Sequence, residues 1–177
     1  MELFFVIGDK LIKSTMFILF LLSVVPIFVF AQKSEYIGYR YKPVLMDELL
    51  PNGIKDLGGG IIIENNKITS YAIGRFSKGK TQMLWLELAT GENETGVTGW
   101  EVKDVLIFPN FTKNQELLFT AETCTINGKR DEKLVVFADF LQTKKKYIVR
   151  KAWRTNLKTE KFETVSIKGV RCEYYEP

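Results

Sequence analysis

Short runs of β-branched and aromatic residues, separated by turns rich in glycine and asparagine, dominate the chain from Gly60 onward. Residues 81–88 are representative. Leu84, Leu86 and Leu88 fall on one face of the predicted strand, and the other face carries Met83, Trp85 and Glu87. A period of two is the spacing of a β-strand. Many such strands, about 10 to 15 residues apart, predict an all-β fold: a single antiparallel β-sandwich or barrel-like domain with a short irregular N-terminal segment.

Two hairpins can be placed within this pattern. Asn127-Gly128 is the strongest hairpin signal in the chain, because a tight two-residue turn needs residues that accept a positive φ. Further on, residues 147–153 are predicted to pair with residues 162–167 across the intervening turn. Residues 134–140 lie between the two hairpins, and their apolar composition predicts a core strand.

The N-terminal region carries an uncharged apolar run, residues 16–31, behind Lys10 and Lys13. This order is typical of a secretory signal peptide. The run is about 16 residues long and contains Pro26, whereas a membrane span needs about 20 apolar residues. We therefore predict that residues 1–31 are cleaved and that the protein is exported to the periplasm or the extracellular space. An uncleaved N-terminal anchor is the alternative, and only then would the chain contact a membrane.

The predicted mature chain divides into two parts. Residues 32–58 form a lead-in of extended chain and turns, and residues 59–177 form the β-rich domain. The predicted mature chain has the length of a single domain, which is enough to bury one hydrophobic core.

Two cysteines and no histidine limit the available chemistry. Both cysteines, Cys124 and Cys172, lie in the exported part, where one disulfide is expected; two free thiols are the alternative. Without histidine, Ser-His-Asp and Cys-His catalysis, histidine-based zinc sites and haem ligation by histidine are excluded. We predict no cofactor and no metal, and we expect a protein that binds and does not catalyse.

Residues 74–81 match the phosphate-loop pattern G-x-x-x-x-G-K-[ST] letter for letter. The chemistry of that motif needs a helix directly after the loop, so that its N-terminus faces the phosphates. The residues after Thr81 alternate as a strand instead. We therefore interpret the match as a turn rich in glycine and lysine.

Positive charge is concentrated near the C-terminus. Residues 144–177 contain ten basic and four acidic residues, whereas residues 32–143 contain thirteen basic and fifteen acidic ones. Strand geometry predicts that Lys146, Arg150 and Arg154 share one face, with Tyr147 and Trp153 on the other. These five residues are the candidate contact residues for an anionic envelope component or a protein partner. A solvated sheet face is the alternative, and nucleic acid is not an expected partner of an exported protein.

Catalysis by carboxylates is the second functional hypothesis, as in a small hydrolase that acts on envelope polysaccharide. A pair of carboxyl groups can supply the acid and the base for glycoside hydrolysis. The candidates are Glu87, Glu101, Asp104, Glu116, Glu122 and Asp139. Sequence spacing does not reveal which of them meet in space.

Two stretches carry a resemblance to a known group of proteins. The first is residues 80–87 together with residues 100–106, and the second is residues 151–156 with residues 161–163 and the late Cys172. In these stretches the chain resembles a family of small, uncharacterised exported cyanobacterial proteins over roughly residues 50–175. The resemblance implies a bacterial exported protein of unknown function and transfers no catalytic residue. Our leading hypothesis is an exported binding or interaction module of the cell envelope or periplasm, with the basic C-terminal hairpin as its expected contact surface.

Overall fold

The alternating sequence forms a layered β-structure in the computed structural model, which describes residues 35–42, 49–92, 98–119 and 124–174. The predicted signal peptide, residues 1–31, lies outside this part of the chain. In chain order the strands are β1 Arg40–Tyr41, β2 Leu49–Leu50, β3 Ile54–Glu64, β4 Lys67–Lys78, β5 Thr81–Glu92, β6 Thr98–Phe108, β7 Gln115–Leu118, β8 Cys124–Ile126, β9 Lys129–Arg130, β10 Leu134–Leu141, β11 Lys146–Asn156, β12 Lys161–Val165 and β13 Val170–Cys172. Short 3-10 turns occur at Pro51–Gly53 and Gln142–Lys144. Within the described ranges, no helix has the length and apolarity that crossing a membrane requires.

Antiparallel pairing joins these strands into three sheets. The strand orders are β1-β6-β5-β4-β3-β2 in a six-stranded sheet, β12-β11-β10-β7 in a four-stranded sheet and β13-β8-β9 in a three-stranded sheet. The four-stranded sheet lies in the middle, because successive residues of β10 face different cores. Val135 packs with residues of the six-stranded sheet, such as Leu84. Val136 packs with Cys124 and Val170 of the three-stranded sheet. The prediction of an all-β, sandwich-like fold is confirmed.

A third core covers the outer face of the six-stranded sheet, which points away from the four-stranded one. Trp85 is fully buried there and stacks on Phe76 with ring centroids 3.9 Å apart. Tyr36 and Leu50 pack against the same cluster. Residues predicted as an irregular lead-in, 32–58, thus supply β1, β2 and the start of β3, which begins at Ile54 rather than at residue 59.

Both predicted hairpins are present. Asn127 and Gly128, with φ of 52° and 74°, form the turn between β8 and β9. The second hairpin pairs Ala152–Asn156 of β11 with Lys161–Val165 of β12, so of the predicted residues 147–153 only Ala152 and Trp153 have partners in β12. Residues 74–81 form the end of β4, a turn and the first residue of β5, so a strand follows the glycine-lysine pair, as the alternating pattern predicts.

One disulfide joins Cys124 of β8 to Cys172 of β13, which are register partners in the three-stranded sheet. The predicted pairing is confirmed. The bond closes a segment of the chain that includes the whole of β10, β11 and β12. The disulfide therefore joins the strands that precede and follow the three C-terminal strands of the four-stranded sheet.

Candidate functional site

The predicted basic face of β11 does not exist as one surface, because a β-bulge interrupts the strand. Phe137 pairs with Lys151 and Ala138 pairs with Val149, which leaves Arg150 as the extra residue. Neighbouring residues of β10 point to opposite faces, so the residues of β11 before and after the bulge exchange faces. The prediction that Lys146, Arg150 and Arg154 share one face is therefore wrong. Lys146 and Arg154 lie on opposite faces of the sheet.

Two of these three cations are also paired with carboxylates. Arg150 donates to Oδ2 of Asp139 through Nε, at 2.7 Å, and through Nη2, at 2.5 Å. Arg154 makes the equivalent two contacts to Oδ2 of Asp131. The local positive charge of the hairpin is correspondingly reduced. Lys146 is exposed at the start of β11.

The two aromatic candidates face different cores. Tyr147 packs beside Phe140 in the core under the three-stranded sheet, and its hydroxyl donates to Glu116 at 2.8 Å. Burial raises the pKa of Tyr147, and the hydrogen bond to Glu116 adds to this effect. Trp153 packs edge-on against Phe108, between the four-stranded and six-stranded sheets. The five predicted contact residues are thus not brought together.

Most of the candidate carboxylates have structural partners. Glu101 binds Arg40 and Lys103, and these contacts hold its pKa below the usual range. Asp104 is buried and accepts the backbone N–H of Phe162 at 2.8 Å, which fastens β12 to the six-stranded sheet. Asp139 and Glu116 accept from Arg150 and Tyr147, as described above. Glu122 lies outside the described residues.

Glu87 differs from these carboxylates because it also lines a cavity, of about 250 Å³, on the outer face of the six-stranded sheet. The side chain is 3% exposed, and its Oε1 accepts a 2.5 Å hydrogen bond from the hydroxyl of Tyr41. β5 places Glu87 on this face together with Met83 and Trp85, as the period of two predicts. Asp56, Phe76 and Trp100 belong to the walls of the same cavity.

Glycines form the floor of the cavity, which we call the Glu87 cavity. Gly59 of β3 and Gly74 of β4 are register partners beneath it. A Cβ on Gly74 would lie 2.8 Å from Oε2 of Glu87 and 2.5 Å from the ring of Phe76. Glycine within a strand often marks close approach of a ligand or of another backbone. Here the lack of a side chain at Gly74 leaves the space in which Oε2 of Glu87 lies.

The electrostatics of the Glu87 cavity are those of an acidic site in an apolar surrounding. Burial raises the pKa of Glu87 to about 8; the hydrogen bond from Tyr41 opposes this, and the charge of Asp56 supports it. Glu87 is therefore mostly protonated at neutral pH. Burial and the neighbouring Glu87 also raise the pKa of Tyr41, so the phenol stays neutral and acts as the donor. Among the described residues that line the cavity, none is basic.

Sequence reasoning named Glu87 as one of several carboxylates and missed its neighbours Tyr41, Asp56 and Trp100. One signal was visible: Glu87 is the acidic member of a strand face otherwise formed by large apolar residues. The run Gly58-Gly59-Gly60 was a second signal, because three adjacent glycines weaken a strand unless their lack of side chains is used. Nothing in the sequence placed Tyr41, on the opposite side of β6, beside a residue of β5.

No protein-family model, no curated protein and no solved structure matches this chain. The fold and the site define a disulfide-containing, all-β, sandwich-like domain with an acidic, aromatic-walled cavity. The resemblance to exported cyanobacterial proteins stays a prediction.

Proposed function

We propose that this protein is an exported binding module and that the Glu87 cavity holds a small organic cation, such as a primary ammonium group on an apolar body. One observation carries the proposal: the cavity combines two carboxyl groups with aromatic walls and, among its described lining residues, no basic side chain. Carboxylates attract an ammonium by charge, and aromatic faces attract it through their quadrupole. Export is supported by the disulfide, which is rare in reducing compartments.

The parts of the site have separate roles in this proposal. Asp56 supplies an acceptor whose Oδ1 is held by the backbone N–H of Gly58 at 2.7 Å. Tyr41 fixes Oε1 of Glu87, and Oε2 lies over Gly74 at the floor. Trp100 and Phe76 surround the apolar part of the ligand. The glycine floor lets the ligand lie close to the sheet.

Binding of a cation is coupled to loss of a proton from Glu87. The carboxyl is protonated at neutral pH because burial disfavours its charge. An ammonium in the cavity replaces that missing solvation and favours the ionised form. The affinity of the cation therefore rises as the pH approaches about 8 from below.

Calorimetric titration with benzylammonium, and with benzyl alcohol as its uncharged analogue, tests the proposal. We expect the cation to bind about tenfold or more tightly than the alcohol at pH 7. The double variant Asp56→Asn with Glu87→Gln keeps the shape of the cavity and should abolish this preference. Glu163→Gln, at an exposed position of β12, is the control for surface charge. Equal affinities of cation and alcohol, or an unchanged preference in the double variant, would contradict the proposal.

A carboxylate-dependent hydrolase is the second candidate, favoured by the presence of Asp56 beside a Glu87 that keeps its proton at neutral pH. Glycoside hydrolysis uses a pair of carboxyl groups, one of which keeps its proton and acts as the acid. We rank it second because the cavity, at about 250 Å³, suits a small cation better than a polysaccharide, and Oε1 of Glu87 is already occupied by Tyr41. Release of reducing ends from envelope polysaccharide by the wild type, but not by Asp56→Asn or Glu87→Gln, would favour the hydrolase.

A further inference from the structure

A second cavity lies between the six-stranded and four-stranded sheets, on the other side of the former from Glu87. Its volume is about 310 Å³. Its aromatic side chains come from three strands: Phe108 from β6, Phe137 from β10 and Trp153 from β11. We call this cavity the Trp153 cleft.

The aromatic rings of the cleft form a preorganised wall. The rings of Phe108 and Phe137 have centroids 5.3 Å apart, and Trp153 meets Phe108 edge-on at 5.7 Å. These are favourable distances for aromatic pairs, so the wall is held by its own packing. Trp153 and Phe137 are only partly buried, so part of their surface is left for a ligand.

Polar groups that suit an anion border the same wall. Lys151 lines the cleft and is exposed, and among the described residues it makes no ion pair or side-chain hydrogen bond. Gln115 uses its side-chain oxygen to accept the backbone N–H of Thr112 at 3.0 Å, which leaves its NH₂ group as a donor. Asn110 contributes a second amide. No carboxylate is found among the described lining residues.

We propose that the Trp153 cleft is a binding site for a small aromatic carboxylate. The ring of the ligand packs against Phe108, Phe137 and Trp153. Its carboxylate binds the ammonium of Lys151 and the NH₂ group of Gln115. This site does not depend on the Glu87 cavity, which has the opposite charge preference and lies on the other face of the six-stranded sheet.

Titration with 3-phenylpropionate, monitored by backbone amide shifts in NMR and by tryptophan fluorescence, tests this proposal. The uncharged analogue 3-phenylpropionamide measures the contribution of the carboxylate. Lys151→Gln should weaken the acid about tenfold and leave the amide unchanged. Lys146→Gln is the matched control, since Lys146 is an exposed lysine of the same strand that does not line the cleft. Thermal unfolding should be unaltered in both variants, because both side chains are exposed.

The outcomes separate this proposal from the previous one. Asp56→Asn with Glu87→Gln should bind 3-phenylpropionate as the wild type does. Equal binding of acid and amide, equal losses in Lys151→Gln and Lys146→Gln, or amide shifts away from β6, β7, β10 and β11 would each overturn it.

Discussion

Gly59 of β3 and Gly74 of β4 face each other in register, and neither position has room for a Cβ. At Gly59 the added atom would collide with the backbone carbonyl of Ile73. At Gly74 it would meet side-chain atoms of Phe76 and Glu87. The two positions thus exclude a side chain for different reasons. At Gly59 the obstacle is backbone, and at Gly74 it is the side chains that line the Glu87 cavity.

Gly74→Ala should therefore weaken the binding of benzylammonium in the Glu87 cavity. It should lower the free energy of unfolding less than Gly59→Ala does. A methyl group at Gly74 displaces side-chain atoms of Phe76 and Glu87 rather than backbone, and it fills the space above the floor of the cavity. Gly59→Ala meets the backbone, so it should destabilise the fold by about 1–3 kcal/mol. Urea unfolding and benzylammonium titration of both variants measure the two effects. The reverse order, with Gly59→Ala milder in stability, would contradict this assignment.

Glu87 should make stability fall as the pH rises. Below its ordinary pKa of 4.5 the carboxyl is protonated in both the folded and the unfolded protein. Between 4.5 and about 8 the unfolded chain loses the proton and the folded one keeps it, so the free energy of unfolding decreases until about pH 8 and then levels off. The total decrease in the free energy of unfolding over this range is about a few kcal/mol.

Urea unfolding of the wild type and of Glu87→Gln at pH 5, 7 and 9 measures this effect. Glutamine keeps an acceptor for Tyr41 and removes the titration. The stability of the variant relative to the wild type should increase from pH 5 to pH 9. A constant difference over this range would show that Glu87 does not titrate as described.

Removal of the disulfide should destabilise the domain. Cys124→Ser with Cys172→Ser releases a loop whose two ends are 48 residues apart in sequence, and loops of this size are worth about 2–4 kcal/mol. Chemical unfolding of oxidised wild type and double variant gives the difference. Reduced wild type should resemble the double variant, and a stability equal to that of the oxidised protein would contradict the prediction.

The basic hairpin should contribute little to binding of anionic surfaces. Arg150 and Arg154 already have carboxylate partners, and Lys146 lies on the face opposite Arg154. Co-sedimentation with phosphatidylglycerol vesicles should therefore change by less than about threefold when all three residues become glutamine. A loss of about tenfold or more would restore the hairpin as a contact surface.

Local patterns in the sequence predicted much of the fold, because strand alternation and turn residues are properties of neighbouring positions. Asn127-Gly128 and the face shared by Met83, Trp85 and Glu87 are examples. The bulge at Arg150 could not be read in this way, since it depends on how β11 aligns with β10. For the same reason the hydrogen bond from Tyr41 to Glu87, 46 residues later in the chain, could not be inferred from local patterns.

The position of β10 between two cores affects how firmly its register with β11 is specified. Apart from Asp139, both faces of the strand are apolar, so hydrophobicity specifies its register less strongly than in a strand with one polar face. Two ion pairs form in the observed register: Asp139 of β10 binds Arg150, and Asp131, just before β10, binds Arg154. Such exposed ion pairs add little to the equilibrium stability, but we expect them to favour the observed alignment of β10 with β11 over a shifted one.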